Sequence, residues 1–250
     1  ADPLSGLTEG EIEDARPYCE LIRRWFNLHP EFSWLPGKFK IAINGAKLDE
    51  TALKIHDLGL RLVQNEKGEL GFSVFVGGGL GAAAMIAAET ASFVPVVDIL
   101  SYLESSLRIY NLKGRRDHQK KLRIKFLVRE LGATEFSKLV DDDWQQTKDD
   151  PDLKLNLNEL ESLKKDFALP IKPIDLDGFK DKVDFNYGIW KKNNVRSHKV
   201  SGHSIVNISL TKLGTAPGDA TSEQMRILAK LADEFSSGEI RTTKRQTSVF

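Results

Sequence analysis

The 250-residue chain is 40% hydrophobic and 29% charged, enough apolar material for one large core or two smaller ones. Lys plus Arg and Asp plus Glu both number 36, so no net charge draws the chain to nucleic acid or anionic lipid, and any affinity for an anion must be local. Cys19 is the only cysteine, which excludes an internal disulfide and any all-cysteine metal or iron–sulfur site built from this chain alone.

In chain order, Thr8 with Glu11 reads as a capping box opening a helix that carries Ile12, Cys19, Leu21, Ile22, Trp25 and Phe26 and stops at His29-Pro30. A strand follows, in Leu35-Pro36-Gly37-Lys38-Phe39-Lys40-Ile41-Ala42-Ile43. Leu58 to Val63 and Leu70 to Val76 are strand-like runs about the polar turn Asn65-Glu66-Lys67-Gly68-Glu69, which predicts a hairpin. The second strand runs into Gly77-Gly78-Gly79-Leu80-Gly81, and Ala82 to Ala91 reads as a helix, so the glycines are expected at a strand-to-helix corner. Further helices are predicted near Val97–Asn111, Lys120–Leu131 and Thr134–Gln146. The stretch Lys148–Asp184, richer in Asp, Lys and Pro with one short helix around Leu157–Phe167, reads as a linker.

Beyond it, Ile205 to Leu210 alternates as a strand, Thr221 with Gln224 makes a second capping box, and Met225, Leu228, Ala229, Leu231, Ala232 and Phe235 form an apolar helical face. Glu239 to Thr243 returns as a strand, completing one β-α-β unit. Such a unit leaves sheet face and edge uncovered and is expected to pair with another. No apolar run approaches the roughly 18 residues of a membrane span, and no basic segment leads into an apolar one at the N-terminus. The expected location is cytoplasmic, without membrane contact.

Four features carry potential chemistry. Lys38 and Lys40, two apart on a strand, point the same way, and adjacent ammonium groups repel unless something negative lies between them. An edge strand whose lysines block aggregation has the same pattern. Gly77, Gly78 and Gly79 allow a backbone to approach a planar ring or an anion, and also make an ordinary tight turn. The basic run from Gly114 to Lys125, with Arg115, Arg116, Lys120, Lys121 and Arg123, suits a carboxylate or phosphate clamp or a solvated face. Arg241 to Gln246 ends a strand in polar and basic groups that reach a ligand or merely fray. Nucleic acid is disfavoured because no aromatic set interleaves the basic residues. No dinucleotide fingerprint or nucleophile elbow is present, and His29, His56, His118, His198 and His203 lack metal-ligand spacing. No metal-ligating residue is expected.

Taken together, Glu11 to Tyr18, Leu28-His29-Pro30-Glu31-Phe32, Leu35 to Ile43, His56-Asp57-Leu58-Gly59, Val76 to Gly81, Gly114 to Lys125 and Pro217 to Thr221 resemble the sirohaem-dependent nitrite and sulfite reductases, above all the haemoprotein (beta) component of sulfite reductase. The resemblance spans essentially the whole chain in the right order. It implies an α+β fold and an internal slice of a larger enzyme. Residues 1–149 would be a partial sirohaem and 4Fe–4S domain of the first module, 150–180 a linker, and 181–250 a ferredoxin-like half-domain of the second repeat.

The implied activity is six-electron reduction of sulfite to sulfide or of nitrite to ammonia at sirohaem coupled to a 4Fe–4S cluster. The electron donor would be a flavoprotein or ferredoxin. Lys38 and Lys40 match the family's substrate lysines. Gly77, Gly78 and Gly79 match backbone close to the macrocycle, Arg123 and Lys125 fall near its carboxylates, and Arg241 and Gln246 match the second repeat's pocket-lining strand. Gly37 stands where the family usually has arginine. The cluster cysteines and the flanking N- and C-terminal parts are missing, so the isolated chain is expected to be inactive. The alternative is a non-catalytic anion- or tetrapyrrole-binding module.

Overall fold

In the computed structural model, residues 1–168, 184–211, 214, 216–243 and 247–249 are described. Two compact units emerge, one comprising Ala1–Gly6 and Glu11–Ala168, the other Leu7–Gly10 and Leu169–Phe250.

The first unit opens with helix α1 (Arg16–Leu28), which starts at a proline in its first turn rather than at Thr8. Asp14 accepts the Arg16 amide at 2.9 Å and pairs with its guanidinium, while Glu11 receives the Gly6 amide. The predicted Thr8 box is therefore not formed: Pro17 is the stronger start signal, because its fixed φ suits a first turn and its missing N–H is not needed there.

Strands β1 (Ile41–Asn44), β2 (Leu58–Gln64), β3 (Leu70–Val76) and β4 (Ala88–Pro95) make one sheet in that order, β1 parallel to β2 and the rest antiparallel. The predicted hairpin is present, with Gly68 at φ +78° in its turn. Leu58, Leu60 and Leu62 lie opposite Val76, Val74 and Phe72, and all six are buried on one face. A one-residue slip would expose them, at roughly 1.5–3 kcal/mol each, so the register is strongly specified.

The helix expected over Ala82 to Ala91 is absent. Gly79 and Met85 exchange backbone hydrogen bonds of 2.9 and 2.8 Å, and the chain returns directly as β4. Alanine favours helix in isolation, but the β3 ladder and the Ala87 amide donated to the Lys54 carbonyl at 2.8 Å outweigh that preference. The glycine corner joins strand to strand, and no helix dipole follows it.

Helices α2 (Ile99–Lys113), α3 (Ile124–Leu131) and α4 (Ala133–Thr147) cover the buried face, with Tyr102, Leu103, Ile124 and Phe136 in the core. Helix α5 (Leu157–Asp166) is capped by Asn156 and buries Leu160 and Leu163 near α1. Residues 150–168 thus belong to the first unit instead of a linker, because two buried leucines one turn apart suffice to dock a short helix.

In the second unit, α6 (Phe185–Asn194) precedes β5 (Val195–Ser197) and β6 (Ser204–Ser209), then come α7 (Ser222–Phe235), β7 (Arg241–Thr242) and β8 (Thr247–Val249). Among the described residues the sheet order is β5-β6-β8-β7, with antiparallel pairs, more than the single β-α-β unit read from sequence. The Thr221 and Gln224 box opens α7, with the Thr221 amide on Gln224 Oε1 at 2.8 Å. Of its predicted apolar face only Leu228 and Ala232 are buried; Met225 and Phe235 stay exposed.

Candidate functional site

Lys38 and Lys40 lie just before β1, not inside it, yet the alternation continues outward from the strand. Both are exposed, while Phe39 and Ile41 between and after them pack on the core. The Lys40 carbonyl accepts the Leu58 amide at 3.1 Å, so the β1–β2 ladder extends to this residue. Two cationic side chains consequently leave the same side of the backbone.

What holds this edge is a residue to which sequence reasoning gave no role. Asp57, at the entrance to β2, is fully buried, and its carboxylate accepts the Lys40 amide at 3.0 Å. The same carboxylate takes Arg123 side-on, Nε to Oδ1 at 2.9 Å and Nη2 to Oδ2 at 2.8 Å. Its backbone carbonyl accepts the Gly77 amide at 2.9 Å. Lysine edge, glycine corner and basic run therefore converge on Asp57. The only sequence signal was an acidic residue directly before a strand, which is common and unspecific.

Arg123 occupies the N-cap position of α3 with extended backbone. Its side-on pairing uses the Nε and Nη2 edge, and the guanidinium, 25% exposed, carries a second edge pointing the other way. Lys125 is nearly fully buried and donates to the Leu80 and Ala83 carbonyls at 3.0 and 2.7 Å. Burial, then the like charge of Arg123, lowers its pKa. Its ammonium clamps the loop after the glycines.

The three glycines are explained by the chain's own packing. Gly77 has φ +94°, and a Cβ there would meet Val128 at 2.9 Å. A Cβ on Gly78 would run into the His56 carbonyl at 2.5 Å, and one on Gly79 would meet Lys125 Cδ at 2.9 Å and Arg123 Nη2 at 3.2 Å. The side of this corner left exposed is the loop of Leu80, Gly81, Ala82 and Ala84.

Gly37 is tightly packed too: a Cβ would stand 2.9 Å from Leu122 Cβ. Tyr110, next to it, donates to the Leu122 carbonyl at 2.8 Å and is pushed up to about 12 by burial and by the charge of Asp57. A larger residue at 37 would displace this contact. In the second unit, Arg241 on β7 is largely buried and donates to Glu239 at 2.5 Å. Gln246 lies outside the described residues. Elsewhere in the basic run, Arg115 pairs with Asp117 and Arg116 donates to the Trp34 carbonyl at 2.9 Å.

Residues 1–148 match the family "Nitrite and sulphite reductase 4Fe-4S domain", and residues 211–250 match "Nitrite/Sulfite reductase ferredoxin-like half domain". The chain is 30% identical to "Sulfite reductase [ferredoxin] 1" of Mycolicibacterium paratuberculosis over 143 residues, covering 57% of this chain and 25% of that protein. It is 26% identical to the chloroplastic ferredoxin–nitrite reductase of Arabidopsis thaliana, covering 99% of this chain and 38% of the relative. It is 28% identical to the assimilatory ferredoxin-dependent nitrite reductase of Haloferax mediterranei, covering 99% and 39%. The solved structure of the Mycobacterium tuberculosis NirA protein superposes with a TM-score of 0.64 at 24% identity, over 99% of this chain and 39% of that one, and shows the same fold.

The chain belongs to the nitrite and sulphite reductase family, and it spans between about a quarter and two fifths of the length of the curated relatives it matches.

The family's two prosthetic groups fare differently against these residues. A 4Fe–4S cluster takes four thiolates, whereas this chain has one cysteine, half-buried on α1 with its pKa raised by burial. The cluster therefore does not fit this chain's residues. Sirohaem, an anionic macrocycle, is compatible with the exposed Lys38 and Lys40 and the second edge of Arg123, while the glycines offer no empty cradle that a Cβ would fill. No described helix is long and apolar enough to cross a membrane.

Proposed function

We propose that this chain forms part of a sirohaem-dependent reductase of sulfite or nitrite, with Lys38 and Lys40 binding the oxyanion. The observation that carries the reading is the pair of exposed lysines anchored, through the Lys40 amide, to buried Asp57 inside a family-matched unit. When bound, sirohaem supplies the iron and the electron path of a six-electron reduction. The chain's own residues bind the anion, keep its charge balanced by two ammonium groups, and offer protons as its oxygens leave. Arg123 would present its second edge to a macrocycle carboxylate, Lys125 holds the loop of residues 80–83 in place, and the backbone at Gly77, Gly78 and Gly79 would set how near the ring can come. The donor is a ferredoxin or flavoprotein, and the cluster is held by parts of the protein beyond these residues.

At about 4 Å and an effective dielectric near 20, one lysine attracts a unit negative charge by on the order of 4 kcal/mol before desolvation. Retaining even two thirds of that in the transition state is worth roughly 100-fold in rate. In the complete reductase, Lys38→Met and Lys40→Met are each expected to slow reduction by about that factor. Steady-state rates within threefold of the parent for both variants would refute the assignment. The same lysines would serve a non-catalytic anion- or tetrapyrrole-binding module, which the single cysteine favours for the chain on its own. Sirohaem binding without turnover in the complete protein would support that second reading.

A further inference from the structure

We infer that Asp57 is the positioning residue of this anion site, acting through Lys40 and Arg123; the inference rests on the function proposed above. Three contacts carry it. The carboxylate accepts the Lys40 amide at 3.0 Å, and it accepts Arg123 Nε and Nη2 at 2.9 and 2.8 Å. Residues 17 and 66 positions away in sequence are thereby fixed to one buried group.

Each contact has a directional consequence. Holding the Lys40 amide fixes the register of the lysine edge, and a slip of one residue would turn Lys40 inward and Phe39 out to the ligand. Holding the side-on edge of Arg123 leaves the Nη1 and Nη2 end aimed away from Asp57, where a second anion can meet it. Asp57 thus decides where both cations stand without touching the ligand itself.

Simple electrostatics makes the opposite prediction, which renders the inference testable. A buried negative charge beside an anion site repels the anion, so removing it should tighten binding if charge were all that mattered. Positioning predicts the reverse. In Asp57→Asn the side chain offers one acceptor oxygen and an NH2 group, and that NH2 must face one of the N–H donors that the carboxylate satisfied. Either Lys40 or Arg123 loses its anchor.

Two readouts test this. In the 250-residue chain, hydrogen exchange of either the Lys40 amide or Arg123 Nε should become at least tenfold faster in Asp57→Asn, with exchange at the Val74 amide in β3 unchanged. In the complete reductase, the KM for nitrite or sulfite should rise at least tenfold. A second variant, Arg123→Lys, keeps the net charge and replaces the planar fork by a single ammonium. It should raise KM at least fivefold, whereas a purely electrostatic role predicts no change. An unchanged or lowered KM in folded Asp57→Asn, or in Arg123→Lys should Asp57→Asn fail to fold, would overturn the inference, as would both the Lys40 amide and Arg123 Nε still protected in Asp57→Asn. Those results leave the proposed function standing, because the parent would still reduce the anion; a parent without reductase activity overturns that function instead.

Discussion

Gly78 backs directly onto the carbonyl oxygens of Lys54 and His56, so that an added Cβ would lie 2.5 Å from the His56 oxygen and nearer still to that of Lys54. Backbone oxygens in a 3-10 turn cannot swing aside as a flexible side chain would. Gly78→Ala is expected to destabilise the first unit by roughly 3 kcal/mol, the upper end of ordinary overpacking. Gly81→Ala, with φ +101° but open space around it, should cost only about 1 kcal/mol through backbone strain. Urea denaturation of the two variants compares them. A Gly78→Ala variant no less stable than Gly81→Ala would mean that the corner relaxes, and that the glycine is kept for a ligand instead of for packing.

Lys125 ties the loop after this corner to α3. Replacing it by Met keeps the aliphatic stem but leaves the Leu80 and Ala83 carbonyls without their donor. The expected loss is about 1–3 kcal/mol. Limited proteolysis should show earlier cleavage within residues 80–84 than in the parent. Equal stability and equal cleavage rates would show that solvent replaces the ammonium without cost.

His198 gives the second unit a pH dependence. Burial lowers its pKa below 6.5, and the Val200 amide, donating to Nδ1 at 2.9 Å, can be accepted only by the neutral ring. Below 6.5 the unfolded chain therefore binds the proton more readily than the folded one. The stabilisation is complete above pH 6.5 and is lost as pH falls through the lowered folded value. Melting temperatures at pH 7.5 and 5.5 should fall more in the parent than in His198→Gln. Identical slopes in the two proteins would exclude His198 as a contributor.

Part of each unit was legible because the signals are local. The hairpin of β2 and β3 shows a period of two on either side of a polar turn containing Gly68, and the Thr221 and Gln224 box is completed within four residues. The outward direction of Lys38 and Lys40 follows from the same alternation. Family membership was legible as well, since it rests on residue identities in order along the chain.

Other features required the folded chain. Ala82 to Ala91 has helix-forming composition, and only the β3 edge waiting to be paired makes it loop and strand. Residues 150–168 look like a linker until Leu160 and Leu163 find the first unit's core.

The sequence by itself determined the α+β composition of elements, the direction of the two lysines and the absence of enough cysteines for a cluster, because each depends on residue identity or on neighbours a few positions apart. Only the tertiary structure decided that buried Asp57 joins the Lys40 amide to Arg123 and that the space beside Gly77, Gly78 and Gly79 is filled by Val128, the Lys54 and His56 carbonyls, Arg123 and Lys125. Those relationships join residues between 17 and 66 positions apart, and a buried carboxylate selects its donors by where the fold brings N–H groups together, which no local pattern encodes.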